Sequence, residues 1–193
     1  MTETIAGYGY GTAGRSPVTM KDLEELRASV LFGPEDEKAL RLAGDVLEDQ
    51  VEDVLDVWYG FVGANPHLLA SFSTPGGQPV GEYLDRVRAR FGQWILDTCR
   101  RPYDRQWLDY QHEMGRRHTS LGKNRADAAD AASHVPMRHV IALIYPITAT
   151  VRPFLERKGH APEQVEAMFQ AWFKSVVLQI ALWTRAYADV REW

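Results

Sequence analysis

Apolar residues recur at intervals of three and four along most of this chain, and no stretch shows the strict alternation that is typical of a β-strand. The longest such run covers residues 35–65 and predicts one helix that breaks into two. Further helices are predicted at 19–31, 82–98, 104–118, 136–158 and 162–187. Within 136–158, Pro146 and Pro153 each remove a backbone donor, so bends are expected near residues 141–142 and again later. The pattern predicts an all-α fold with roughly seven to nine helices.

Composition restricts the setting in which such a fold would work. The chain has 193 residues, 45% of them hydrophobic, which is enough for one domain with a substantial core. Its net charge of −4 gives no general attraction to nucleic acid or to an anionic membrane. The single cysteine, Cys99, excludes an intrachain disulfide, and neither a signal peptide nor a membrane-length apolar run is evident. We therefore expect a cytoplasmic protein that binds neither nucleic acid nor a membrane.

The first 18 residues differ from the rest, so we divide the chain into an N-terminal arm (1–18) and a single domain (19–193). Glycines and tyrosines alternate from Gly7 to Gly11, but no Gly-Lys-Ser/Thr sequence follows, so this is not a phosphate-binding loop. The segment is expected either to lie on the domain through Tyr8 and Tyr10 or to be disordered. Thr19 and Asp22 then have the spacing of a capping box at the start of a helix.

The last predicted helix is apolar around most of its circumference. Its apolar positions run from Val165 to Trp183 and are too widely spread for one contact surface. Either the helix is buried on two sides, or it packs against a partner chain.

One histidine ends the apolar stripe of a short helix. Trp107, Tyr110, Met114 and His118 follow one another at steps of three and four. An imidazole that faces inward needs a partner, because an unpaired buried ring nitrogen costs free energy. That partner could be a side chain, a backbone carbonyl or a metal. His112 lies about 240° around the helix from His118, so the two histidines cannot share a metal.

Other inward-facing residues favour a flat apolar slot beside this histidine. They are an adjacent aromatic pair on one helix and two pairs of residues one turn apart on others: Trp58, Tyr59, Val87, Phe91, Leu143 and Ile147. Haem fits such a slot, because its ring is planar and apolar and its iron takes an axial nitrogen. Each of these residues taken singly is also compatible with ordinary core packing.

The chain resembles the protoglobins, the single-domain branch of the globin-coupled sensor lineage. The resemblance is carried by the strings 58–62 (WYGFV), 86–98 (RVRARFGQWILDT), 107–118 (WLDYQHEMGRRH), 144–151 (IYPITATV) and 171–180 (AWFKSVVLQI). It implies a globin fold, a three-over-three helical sandwich with an extra N-terminal arm and helix, which binds haem b (iron protoporphyrin IX). It also implies a homodimer formed through the last two helices.

The resemblance implies a role for each of several residues. His118 would be the proximal ligand of the iron, Trp58 and Tyr59 would be distal, and Phe91 and Leu143 would line the pocket. Leu143 departs from some members of the family, which have phenylalanine there. Val87 falls where other globins usually carry a distal histidine.

From these roles we expect a five-coordinate iron that reversibly binds dioxygen, carbon monoxide or nitric oxide. The carbonyl of Met114 would orient His118, and Tyr59 would donate a hydrogen bond to the gas ligand. A haem propionate would pair with Arg90, with its neighbours Arg86 and Arg88, or with one of the two arginines at 116–117; the alternative is a solvated basic face.

Two other functions remain open at this point. A haem enzyme, such as a nitric oxide dioxygenase or a peroxidase-like protein, would use the same slot. A dioxygenase would need a separate reductase, because no flavin or nicotinamide motif is present, and a sensor would need a signalling partner. A helical interaction module without haem would use the apolar surfaces alone.

Overall fold

The computed structural model describes residues 5–188, 191 and 193, and the regular structure in this part of the chain is helical apart from one isolated β-bridge between Ser73 and Pro79. The α-helices, in chain order, are α1 (Met20–Ser29), α2 (Pro34–Leu47), α3 (Val51–Gly63), α4 (Pro66–Leu69), α5 (Gly81–Arg100), α6 (Arg105–His118), α7 (Met137–Ala142), α8 (Ile144–Leu155) and α9 (Pro162–Thr184), with a 3₁₀ turn at Ala70–Phe72. The predicted all-α fold is confirmed.

The predicted capping box and the predicted break in the run 35–65 are both present. The amide of Asp22 donates to the hydroxyl of Thr19, and the amide of Thr19 donates to the carboxylate of Asp22, so α1 begins at Met20. The break between α2 and α3 falls at residues 48–50. There the buried side chain of Gln50 donates to the carbonyls of Val46 and Phe154, which ties the break to α8.

The predicted helix over 136–158 is wrong in its continuity, because the structure has two helices there. Helix α7 ends at Ala142, Leu143 lies between the helices, and α8 begins at Ile144. Pro146 has no amide hydrogen to donate to the carbonyl of Ala142, which accounts for the break. Helix α8 continues through Pro153 and ends at Leu155, three residues before the predicted end.

Helix α9 lies at the centre of the packing and contacts α2, α5, α6, α7 and α8. Met168, Trp172 and Leu178 are fully buried on it, while Phe173 keeps 40% of its surface exposed. Burial within the chain therefore accounts for most of the wide apolar surface of this helix. It ends at Thr184 rather than near Tyr187, where turns follow.

The described part of the N-terminal arm lies against α5 and α6. The ring of Tyr110 is 5.7 Å from that of Tyr8 and 5.3 Å from that of Tyr10, measured between centroids. The hydroxyl of Tyr8 also donates to Asp97 of α5. Residues 1–4 of the predicted arm lie outside the described residues. Of the helices described, none is long and apolar enough to cross a membrane.

Candidate functional site

A cavity of about 240 Å³ lies between the helices, with walls formed by α3, α5, α6, α8, α9 and the segment after α6. All nine residues predicted for the site line this cavity: Trp58, Tyr59, Val87, Arg90, Phe91, Met114, His118, Leu143 and Ile147. They come from separate stretches of the sequence, and only the packing of the helices brings them together.

His118 presents one ring nitrogen to the cavity. It is the last residue of α6, and its Nδ1 lies 2.8 Å from the carbonyl oxygen of Met114, one turn earlier. A carbonyl can only accept, so Nδ1 carries the hydrogen and Nε2 carries the lone pair. Within the described residues, no hydrogen bond forms to Nε2. Burial lowers the pKa of His118, which favours the neutral imidazole that a metal needs.

The orientation of this imidazole is also restricted by an aromatic contact. The indole of Trp183 on α9 is stacked on the ring of His118, with centroids 4.8 Å apart and planes 23° apart. Its Nε1 donates to the side-chain oxygen of the buried Gln111, about two turns before His118 on α6. The hydrogen bond to Met114 and the stacked indole of Trp183 therefore both restrict the orientation of the His118 ring.

Helices α3 and α5 supply an aromatic wall. The ring of Phe91 packs edge-on against both Trp58 and Tyr59, at centroid distances of 5.7 and 6.4 Å. The guanidinium of Arg88 lies over the ring of Tyr59 at 5.6 Å. Burial raises the pKa of Tyr59, so at neutral pH its hydroxyl remains protonated and able to donate a hydrogen bond.

The remaining wall residues of the predicted slot are aliphatic. Val87 lies one turn before Phe91 on α5, and its side chain can neither ligate a metal nor donate a hydrogen bond. Leu143 lies at the break between α7 and α8, and Ile147 lies one turn later. The walls of the cavity around the aromatic residues are therefore largely apolar.

One edge of the cavity is polar and carries more positive than negative groups. Its charged residues are Arg90, Arg117, Lys123 and Asp127. Arg90 binds Asp127 through two hydrogen bonds of 2.9 and 2.6 Å and also donates to the carbonyl of Ala6 in the arm. Arg117 binds Glu113 on its own helix and the carbonyl of Gly7. The arm thus contacts both arginines of this edge.

The structure distinguishes between the arginines that the sequence offered as candidates for pairing with a haem propionate. Arg90 and Arg117 line the cavity, whereas Arg86, Arg88 and Arg116 do not. Arg86 pairs with Glu82, and Arg116 with Glu113. Arg88 is held by two carboxylates of α3, so it stays at the outer side of Tyr59.

Lys123 is a cavity residue that sequence reasoning missed. It is only 6% exposed, although it follows α6 in a segment rich in small and polar residues. A lysine in such a segment gives no signal of burial by itself. Its position five residues after His118 was the only available indication.

The other histidines lie outside the cavity wall. The rings of His67 and His139 pack edge-on at 5.5 Å, a contact that the sequence did not indicate. His112 faces away from the cavity, as its position on α6 predicted.

These residues fit an iron porphyrin. The walls are apolar, one neutral imidazole presents an unpaired nitrogen, one phenol hydroxyl is a donor, and the cationic edge suits the anionic propionates of the ring. The fit rests on the chemistry of the groups that surround the cavity.

Comparison with known proteins supports the same fold. The globin domain of the Geobacter sulfurreducens globin-coupled sensor is similar in structure, with a TM-score of 0.66 over 89% of this chain and 99% of that chain, at 15% sequence identity. No curated protein matches the chain. The model of the family described as Protoglobin matches residues 19–193, nearly the whole chain. The predicted globin fold is confirmed, and the chain belongs to the protoglobin family.

Proposed function

We propose that this protein binds haem b through His118 and reversibly binds dioxygen, carbon monoxide or nitric oxide. The observation that carries the proposal is the neutral imidazole of His118, whose Nδ1 is bonded to the carbonyl of Met114 and whose Nε2 has no hydrogen-bond partner within the described residues. Membership of the protoglobin family supports it. When bound, the haem supplies an iron with a coordination position for a small gas molecule.

The residues of this chain hold and orient the cofactor. Nε2 of His118 would hold the iron, and the carbonyl of Met114 keeps the hydrogen on Nδ1 and would make Nε2 a stronger donor to the metal. Trp183 prevents the ring from turning. Val87 lines the cavity and offers no ligating atom, so it would not compete with a gas molecule for the iron.

Tyr59 is the residue that distinguishes one gas from another. Its protonated hydroxyl can donate a hydrogen bond to a polar diatomic ligand, and dioxygen gains more from this donor than carbon monoxide does. A hydrogen bond to a group with partial charge is worth roughly 1.5–3 kcal/mol, or about tenfold to a hundredfold in retention. The apolar walls around Phe91 and Ile147 exclude water that would compete for the hydroxyl.

We propose that the protein forms a homodimer and that α8 and α9 form the interface. We also propose that it works in the cytoplasm. Large apolar side chains remain exposed on α7, α8 and α9, namely Met137 (41%), Ile141 (45%), Tyr145 (79%) and Phe173 (40%). Exposed apolar surface of this kind marks interaction sites on soluble proteins. A separate reductase or signalling protein would be a further partner. A peroxidase role is disfavoured, because Val87 cannot assist cleavage of an O–O bond as a distal histidine would.

Haem titration of the apoprotein tests the proposal. Wild-type protein is expected to take up one equivalent of haem and to develop a Soret band. His118→Ala should lose this band or bind haem much more weakly, because the axial nitrogen is gone. His112→Ala is the matched control, since His112 is on the same helix but outside the cavity. A wild-type protein that takes up no haem, or a His118→Ala spectrum identical to that of the wild type, would refute the proposal.

A further inference from the structure

Lys123 is a buried cation in the wall of the cavity. Its Nζ donates to three oxygens: the carbonyl of Ser71 at 2.8 Å, the hydroxyl of Tyr83 at 3.2 Å and the side-chain amide of Asn124 at 3.2 Å. Nζ also lies 4.9 Å from the centre of the Tyr83 ring. The ammonium group is therefore held in one place, and all three of its partners are uncharged at neutral pH.

No carboxylate within the described residues lies within 4.0 Å of this ammonium group, although the other two cations of the same edge are paired. Arg90 has Asp127, at 2.6 Å, and Arg117 has Glu113, at 3.0 Å. Burying a charge without a counter-charge is costly. In agreement with this, burial lowers the pKa of Lys123 to about 8, and the more distant Asp127 offsets the effect only in part.

Hydrogen bonding alone does not require a lysine at this position. Any side chain with an amide donor could bind the carbonyl of Ser71 and tie the 3₁₀ turn to the segment after α6. What Lys123 adds is a positive charge. That charge lies at the polar edge of the cavity, to which Tyr83, Asn124 and Asp127 also contribute.

We infer that Lys123 is a binding residue for a carboxylate of the ligand in the cavity, namely one haem propionate. The inference rests on the proposed haem binding and names a contact that the arginine candidates do not explain, because Arg90 and Arg117 already have carboxylate partners. The ammonium supplies the counter-charge to the carboxylate. Its three hydrogens are already bonded to Ser71, Tyr83 and Asn124, so a direct charge-assisted hydrogen bond to the carboxylate would replace one of the two longer bonds, those of 3.2 Å to Tyr83 and Asn124.

The test compares two ligands that differ in the charge of their propionates: haem, and haem dimethyl ester, in which both propionates are uncharged. The rate of ligand release to an excess of an acceptor apoprotein is measured for wild type, Lys123→Gln and Lys123→Arg. Glutamine keeps a donor for Ser71 without the charge, and arginine keeps the charge. Lys38→Met is the control for net charge, since Lys38 is exposed and outside the cavity.

Wild-type protein and Lys38→Met are expected to release the ester about tenfold or more faster than haem. Lys123→Gln should reduce the ratio of the two release rates well below the wild-type ratio, and Lys123→Arg should restore most of it. If Lys123→Gln keeps the wild-type ratio, the inference is wrong and Lys123 is a structural tie only. If wild-type protein binds both ligands without preference, the inference fails while haem binding stands; if it binds neither, the proposed function itself fails.

Discussion

Gly115 is the position where a single added carbon should have the clearest effect on both stability and the site. It lies on α6 where that helix crosses α9, and a Cβ at this residue would be 2.8 Å from the carbonyl oxygen and 2.9 Å from the Cα of Trp183. Both are backbone atoms, which cannot rotate away as the end of a side chain can. Gly115→Ala therefore forces the two helices apart.

The expected magnitude follows from two opposing effects. Overpacking a well-packed core costs about 1–3 kcal/mol, and replacing a helical glycine by alanine returns up to about 1 kcal/mol. The net loss is then about 0–2 kcal/mol, or a fall of up to about 8 °C in Tm for a chain of this length, and the loss relative to a glycine without such a contact is about 1–3 kcal/mol. Because Trp183 is stacked on His118, the displaced α9 should also weaken haem binding.

Gly60→Ala is the matched control, since Gly60 is also helical, on α3, and among the described residues no atom outside its chain neighbours and its own helix backbone lies within 4 Å of the added Cβ. Both substitutions change the entropy of the unfolded chain in the same way. Urea unfolding of the two apoproteins, followed by circular dichroism, measures the difference, and haem titration measures the effect on the site. If Gly115→Ala is as stable as Gly60→Ala and binds haem equally well, the close crossing of α6 and α9 does not exist as described.

Two further predictions concern the cavity. Tyr59→Phe should speed dioxygen release by about tenfold to a hundredfold and carbon monoxide release far less, as measured by stopped flow on the ferrous protein; equal changes would remove the role given to Tyr59. Lys123 has a pKa of about 8 in the folded chain, against about 10.4 in the unfolded chain, so the unfolded state binds more protons between these values. Lys123 should therefore make the free energy of unfolding of the apoprotein rise with pH across this window, whereas Cys99, whose pKa is raised by burial to about 12, acts in the opposite direction. Urea melts of wild type and Lys123→Met isolate the contribution of Lys123: the slope of the free energy against pH should be lower in the variant, and equal slopes would contradict the prediction.

Local spacing was enough to predict the helices and the position of the key imidazole. The steps of three and four that end at His118 depend only on the geometry of one helix, as does the bond from Nδ1 to the carbonyl one turn earlier. The capping box at Thr19 and Asp22 is equally local. These features were predictable because each involves residues within about one turn of each other.

The resemblance to the protoglobins extended the prediction of the site to residues that are distant in sequence. Trp58, Phe91 and Leu143 were grouped around one slot by their inward positions, the resemblance gave them roles in a haem pocket, and they do line one cavity. Their periodicity alone was equally compatible with ordinary core packing, since an apolar stripe shows which side of a helix is buried but not what it faces.

Tertiary structure alone decided which charged groups belong to the cavity. Arg86, Arg88 and Arg90 are neighbours in sequence, but only Arg90 lines the cavity, and its pairing with Asp127 depends on the path of the segment after α6. The same path buries Lys123, although its sequence context looks exposed. Sequence therefore determined which side of each helix is apolar and where the imidazole lies. Tertiary structure determined which of the cations lose contact with water and which obtain a carboxylate partner, because both depend on residues that are brought together from distant parts of the chain.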